Sequence, residues 1–436
     1  MPRLIAPYVR LGWDYWKHFL YIGGSWIPAH IYTSYLIADK CMAKAACRKY
    51  VDQASDASWF GHGLHFDHGD HQWNMFRDQI PDLVKAMFLC AFLSRLVRSC
   101  SPQHSIREIL ILYSILGFGA VLYIHEAFAL HIFLIVFINF IISRLCGTLK
   151  LFNFGLGPIF AWLFGIFVVI GGEWYNRSLS FANLFGDQYR IYDYSYQGKE
   201  RWWICVNMLM LRMVSANVDY YNMLVREQDM ERVRKEGGDV TLPDTDSKFS
   251  QWLSRHFKKC SDCSQVKNEL EKGNYLLNTT CYALHEQIPQ NNQYYTFPAY
   301  FSYVTYMPLY LAGPIMSFNA FLFQLRIPPK VPLNDIAAYG GRIFFCFLVM
   351  EICTSYFTCF AVLRSHLYAD LGAWQIMSFT YMNLQLIWLK FLVIWRFFRL
   401  WAVLDGIVPV ENMNRCIANE LGRDNNPDNI PENPML

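Results

Sequence analysis

The chain has 436 residues, of which 54% are hydrophobic, 17% aromatic and only 17% charged. Soluble domains carry about 25% charged residues, so the deficit, with a positive mean hydropathy, points away from a soluble protein and toward a membrane. A net charge of +3 is too small to argue for nucleic acid. Apolar runs are spread along almost the whole length, which fits one polytopic membrane domain.

In chain order, the first predicted membrane helix covers residues 19–37, after a lead-in rich in aromatics (Trp13, Tyr15, Trp16) and with no small-residue cleavage site. Residues 41–81 are polar and place His62, His65, His68 and His71 at every third position, with Asp67 and Asp70 between them. Imidazole and carboxylate both ligate zinc. However, Gly61, Gly63 and Gly69 imply a loop in which that spacing fixes no geometry, so solvated histidines and no metal are expected.

Apolar segments follow at 83–97, 106–124, 127–142 and 152–170. The last three approach the length that crosses about 30 Å of hydrocarbon. His125-Glu126 splits the middle pair as a hairpin turn would. Arg95, Arg98, Arg107 and Arg144 fall at the opposite ends, which the positive-inside rule assigns to the cytosol. Asn176-Arg177-Ser178, a glycosylation triplet, then lies on the far side. Residues 202–221 carry Arg212 and Asp219 seven apart, on roughly one helix face. This segment fits a span, a re-entrant segment or an interfacial helix. Residues 222–293 form a long polar loop that opens on a charged helix and holds a second triplet, Asn278-Thr279-Thr280. Both triplets can be used only if their loops share a compartment.

The membrane resumes at 295–323, where Gly313-Pro314 breaks the helix beside Ser317, Asn319 and Gln324. A plain kink and a cavity lining both fit such a break. Further spans are predicted at 343–362, around Glu351, and at 374–395. The last runs into residues 387–416, where Lys390, Arg396, Arg399 and Asp405 interrupt an aromatic helix. A cation at the bilayer centre costs about 2.5–3.5 kcal/mol on insertion scales. Snorkelling to headgroups explains each cation alone. Asp405-Gly406 and Pro409 then end the helix, and residues 420–436 read as a disordered tail. The expected fold is therefore all-α and polytopic, with roughly eight or nine membrane helices, one broken near Gly313-Pro314.

Of thirteen cysteines, Cys90, Cys146, Cys346, Cys353 and Cys359 sit in apolar runs as small hydrophobes. No disulfide framework is expected. The Cys260-x-x-Cys263 pair, with Cys281 as a third partner, is read as loop thiols rather than a zinc site. No phosphate loop, nucleophile elbow or His-Glu-x-x-His occurs. The intramembrane polar residues Arg212, Asp219, Glu351, Lys390, Arg396, Arg399 and Asp405 fit an enzyme acting on lipid-soluble substrates, or a transporter.

Four stretches in order carry a resemblance. They are Phe66-Asp-His-Gly-Asp-His-Gln-Trp-Asn-Met-Phe-Arg77, Leu211-Arg-Met-Val-Ser-Ala-Asn-Val-Asp-Tyr-Tyr221, Tyr310-Leu-Ala-Gly-Pro-Ile-Met-Ser-Phe-Asn319 with Phe323-Gln324, and Trp395-Arg-Phe-Phe-Arg-Leu-Trp-Ala-Val-Leu-Asp-Gly406 through Glu411-Asn-Met-Asn-Arg415. Together they resemble the membrane-bound O-acyltransferase family, and within it the glycerol-uptake-protein branch, near the Hedgehog-acyltransferase-like proteins. The resemblance implies transfer of an acyl group from a thioester such as acyl-CoA to a lipid or glycolipid hydroxyl, in a tunnel through a helical membrane body. It also implies a membrane-embedded histidine as general base, and a part in glycosylphosphatidylinositol-anchor remodelling. The location it implies is the endoplasmic reticulum first and the plasma membrane second.

The family continues past the residues matching Asn419 into an Arg-x-Trp-His motif and a second histidine, and neither is in this sequence. No catalytic residue is assigned, and a C-terminally truncated form, inactive or incomplete by itself, is expected. Arg396, Arg399, Asp405, Asn319 and Gln324 are the candidate substrate-binding residues. No cofactor is expected beyond acyl-CoA as co-substrate. The expected partners are membrane lipids, acyl-CoA and a lipid or glycolipid acceptor, with no nucleic acid. A non-catalytic lipid-binding or regulatory membrane protein ranks second, and a polyol transporter third, since it calls for paired broken helices and the sequence shows one clear break.

Overall fold

The computed structural model describes residues 24, 26–53, 65–101, 106–147, 149–151, 154–175, 180–196, 198–235, 255–256, 282–313, 316–329 and 331–411. Both glycosylation triplets, His62, Pro314, the cysteines at 260, 263 and 281, most of the polar loop and the tail lie outside them. The helices in chain order are α1 (Ile27–Ala43), α2 (Ala45–Arg48), α3 (His71–Cys100), α4 (Arg107–His125), α5 (Ala129–Cys146) and α6 (Gly157–Tyr175). Then come α7 (Phe181–Phe185), α8 (Arg190–Tyr194), α9 (Trp202–Lys235), α10 (Tyr282–Gln287), α11 (Phe297–Val304) and α12 (Met307–Leu311). The chain closes with α13 (Phe318–Arg326), α14 (Leu333–Tyr356), α15 (Cys359–Arg364) and α16 (Ala373–Leu404). The only strands among the described residues are two short antiparallel pairs, Val51–Gln53 with His65–Asp67 and Lys150–Leu151 with Phe154–Gly155. The all-α expectation holds at that level.

Two helical stretches among the described residues are long and apolar enough to cross a membrane, Arg107–Cys146 and Leu333–Tyr356, with Gly157–Gly171 a shorter apolar helix. The expected hairpin is present: α4 ends at His125, a single 3-10 turn covers Glu126–Phe128, and α5 leads away. Other boundaries differ. The apolar helix at 202–221 and the charged helix after it are one, α9, because nothing between them breaks the ladder. The span predicted at 343–362 ends at Tyr356 and restarts at Cys359. The break near Gly313 is observed between Leu311 and Phe318, and a second separates Val304 from Met307. Local capping sets these starts. Thr296 Oγ1 accepts from Ala299 N, Ser317 Oγ accepts from Ala320 N, and Pro298 and Pro308 occupy first turns where their missing N–H is harmless.

The chain divides into two compact units. The first comprises Met1–Ala86 and Gly340–Arg396, and the second Met87–Tyr339 and Phe397–Leu436. In the first, one expectation is corrected: Cys41 and Cys47 form a disulfide, both fully buried, closing the turn from α1 into α2. Six residues apart and with no motif around them, they gave no sequence signal. The same unit holds Arg77 of α3, whose Nε donates to both oxygens of Glu351 in α14, at 3.1 and 2.9 Å, while its guanidinium lies 4.1 Å over the Phe66 ring. In the second unit, α9 packs along α6 and α5 and on α11 and α13, around a core that includes Met213, Tyr303, Phe318, Phe321 and Leu322. Gly117 lets α4 approach Thr305 so closely that a Cβ there would collide with it.

Removing one partner of a buried ion pair costs about 3–5 kcal/mol, whereas apolar replacement of both is close to neutral. Arg77→Ala should therefore lower the melting temperature in detergent sharply, and Arg77→Met with Glu351→Leu should restore most of it. A loss in the double variant equal to the sum of the two single losses would show that the pair is not coupled.

Candidate functional site

The first motif, Phe66 to Arg77, lies wholly in the first unit and works as a brace. Asp67 is fully buried. Its Oδ1 accepts from Gly69 N at 2.8 Å, and its Oδ2 accepts from Phe360 N at 2.8 Å and Ala361 N at 3.2 Å, which caps the start of α15. Gly69 follows because a Cβ would run into the Phe360 backbone. Asp70 Oδ1 caps α3 through Trp73 N at 2.8 Å, and its Oδ2 meets Lys390 Nζ at 2.6 Å. The histidine run therefore has no common geometry: His65 lies in a strand, His68 follows it and His71 opens α3. Among the described residues no three metal-binding side chains cluster. Burial pushes the Asp67 carboxyl up to about 7, while the three amide donors pull the other way.

The second unit gathers four of the five candidate residues. Asn319 opens α13 with every amide atom engaged. Tyr295 OH donates to its Oδ1 at 2.5 Å, its Nδ2 donates to Glu286 O at 3.3 Å, and its backbone N donates to Asp219 Oδ2 at 2.9 Å. Gln324, five residues further along α13, clamps one residue from both sides: Val408 N donates to Oε1 at 2.7 Å and Nε2 donates to Val408 O at 3.1 Å. Arg399 Nε donates to Pro409 O at 3.1 Å and lies 3.4 Å from Glu411 Oε1, which also accepts from Tyr339 OH at 3.2 Å. Asp405 Oδ2 accepts from Tyr306 OH at 2.6 Å, and Ser94, Tyr113 and Arg98 surround the carboxylate. Gln324, Arg399 and Asp405 thus converge on the turn 405–411.

That turn starts from a Schellman closure of α16. Gly406 has φ +86°, its N donates to Val403 O, and Ile407 N donates to Ala402 O. Arg396, the fifth candidate, is buried in the first unit.

Arg212 and Asp219 do share a face of α9. The Arg212 guanidinium reaches Val304 O at 3.1 Å and Asp219 takes the start of α13. Sequence reasoning missed Tyr295, Tyr306, Tyr113 and Ser94, because hydroxyls in an aromatic run give no charge signal. It also missed His125, buried at the end of α4. His125 Nδ1 lies 3.1 Å from the Glu200 carbonyl, which can only accept, so Nδ1 carries the proton and Nε2 accepts from Tyr310 OH at 2.8 Å.

The fold is almost entirely helical, with many of its buried polar groups paired inside the protein. Residues 189–421 match the membrane-bound O-acyltransferase family, and the chain belongs to it. It is 29% identical over 380 residues to membrane-bound O-acyltransferase GUP1 of Candida tropicalis, covering 85% of this chain and 56% of that protein. It is 28% identical over 387 residues to gup1 of Schizosaccharomyces pombe, covering 85% and 57%. GUP2 of Saccharomyces cerevisiae is 30% identical over 260 residues, 59% of this chain and 40% of that one. The chain thus spans a little over half the length of the first two relatives. These matches agree with the glycerol-uptake branch that the four stretches resemble.

Two outcomes follow. With a folded pKa of about 7 against an unfolded value near 3.8, Asp67 keeps its proton in the fold while the unfolded chain loses it. Its contribution is fully present below the lower value and declines as pH rises toward the upper one. Asp67→Asn cannot titrate, so the stability profile between these values should flatten; an unchanged slope would assign it to other groups. Gln324→Ala leaves both backbone groups of Val408 without their partner, at about 1–3 kcal/mol each where buried. Hydrogen exchange should then show the Val408 amide losing protection while α13 keeps its own.

Proposed function

We propose that this chain forms the substrate-binding part of an acyltransferase that moves an acyl group from acyl-CoA to a hydroxyl of a lipid or glycolipid. Anchor remodelling of glycosylphosphatidylinositol is the role we infer for it, in the endoplasmic reticulum before the plasma membrane. The carrying observation is that the family match, residues 189–421, contains the whole 405–411 turn together with α13, which clamps it.

In this reading the chain is one membrane domain of roughly eight or nine membrane helices, with a polar loop at 222–293 and a tail at 420–436. The candidate residues divide by what hydrogen-bonding capacity they have left. Asn319 and Gln324 give both amide atoms to protein groups, so Gln324 positions the turn and Asn319 ties the start of α13 to its neighbours. Among the described residues Arg399 Nη1 has no hydrogen-bond partner, and the Asp405 carboxylate is flanked by the Ser94 and Tyr113 hydroxyls; these are the groups we assign to an anionic headgroup or thioester carrier and to an acceptor hydroxyl. In transfer, the acceptor oxygen forms the new ester bond, the thioester carbon–sulfur bond breaks, and the hydroxyl proton must leave to a base. No residue of the chain is assigned as that base.

The test uses the whole chain in proteoliposomes, with radiolabelled long-chain acyl-CoA and a glycerolipid acceptor. Saturable acyl-CoA binding is expected. Arg399→Gln and Asp405→Asn should each weaken binding of donor or acceptor by about tenfold or more, the scale of a hydrogen bond to a charged group. Absence of saturable binding would remove the reading.

A further inference from the structure

The segment between α6 and α9 presents a surface that the acyl-transfer reading does not use. Within residues 180–196, Leu184, Phe185, Tyr189, Ile191, Tyr192, Tyr194 and Tyr196 are all exposed, Tyr194 at 73%. Such a run of aromatics in water would be costly, and single exposed apolar residues are ordinary where a contiguous patch is not. The segment is nevertheless firmly built. Phe181 is buried, its ring 5.2 Å from Phe128 and 5.2 Å from His131. Asp193 of α8 accepts from Phe181 N at 2.7 Å and Ala182 N at 2.9 Å, which ties the two short helices together. Tyr189, Tyr192 and Tyr196 stack in sequence at 6.3 and 5.7 Å.

Its height is set by the hairpin. Phe128 belongs to the turn joining α4 to α5, the point where the apolar stretch Arg107–Cys146 reverses direction. Lys199 N donates to Ile124 O, one residue before the end of α4, at 2.7 Å. The Lys199 ammonium lies 3.6 Å over the Tyr123 ring and bonds its hydroxyl. Gly198 makes that approach feasible, with φ +78° and a Cβ position 2.5 Å from Ile124 O. A hairpin of membrane-crossing helices turns where hydrocarbon gives way to headgroups. A segment pinned to that turn by both ends lies at the same level.

We infer that residues 181–196 form a monotopic platform lying in the headgroup–acyl boundary of the leaflet in which α4 and α5 turn, with lipid as its occupant. The side chains fit that zone. Tyrosine offers an apolar ring with a polar tip and is enriched at membrane interfaces. Arg190 pairs with Asp187 at 2.5 Å at the exposed surface, where a headgroup can share the charge. The platform fixes the depth of the hairpin end, from which His125 reaches Tyr310 of α12. This rests on the integral-membrane reading.

The test places an environment-sensitive fluorescent amino acid at Phe185, at Tyr194 or, as a depth control, at Phe118 in mid-α4, in the full chain in phosphatidylcholine vesicles. Quenchers are nitroxide lipids labelled near the headgroup or at the chain end, and aqueous iodide. At Phe185 and Tyr194 the shallow nitroxide should quench several-fold more strongly than the deep one, and at Phe118 the order should reverse. Iodide quenching alone, deep quenching, or no quenching at Phe185 and Tyr194 would each overturn the platform, as water-exposed, membrane-spanning or protein-covered. Failure of the deep nitroxide at Phe118 would instead remove the membrane reading, and the platform with it.

Discussion

A charged or polar group that folding removes from water must be met by the protein itself, and this requirement organises the molecule. Gln324 shows it most plainly. Its amide satisfies both the N–H and the C=O of Val408, a residue beyond the last helical turn with no helical partner of its own. Remove that clamp and the turn 405–411 loses the restraint that presents Asp405 and Arg399. In hydrocarbon no water replaces a lost partner, so irregular backbone survives only where side chains complete it. The interruptions between Val304 and Met307 and between Leu311 and Phe318 obey the same rule, through Arg212 to Val304 O and Asp219 to Asn319 N.

The first unit meets the requirement with carboxyl groups. Asp67 takes three backbone amides, Asp70 takes Lys390, and Glu351 takes Arg77. Three acidic residues thereby connect one motif of twelve residues to α14, α15 and α16. A motif read at first as a histidine ladder is held for its aspartates and its arginine, and Gly69 is required by the close approach of Phe360. Such pairs contribute modestly to net stability but penalise any other pairing heavily, because a mispaired buried charge has no alternative partner.

The second unit relies more on hydroxyls than on ions. Tyr295, Tyr306 and Tyr310 each place a phenol on a buried acceptor, Asn319, Asp405 and His125 respectively. Tyrosine suits this position, since its ring packs as part of an apolar core while one donor reaches the polar atom.

The sequence by itself determined the helical class, the hairpin at His125-Glu126, the break before Ser317 and the charges that needed partners. Each is a local property: apolar length, turn chemistry or a charge in an apolar run declares itself within a few residues. Four motifs in order were enough to indicate the family. Tertiary structure alone decided who met whom. Arg77 and Glu351 are 274 positions apart, and Tyr306 and Asp405 are 99 apart. The Cys41–Cys47 bridge needed the turn after α1. The physical reason is that sequence records which groups cannot remain unpaired, whereas the choice of partner depends on distances that exist only once the helices have packed.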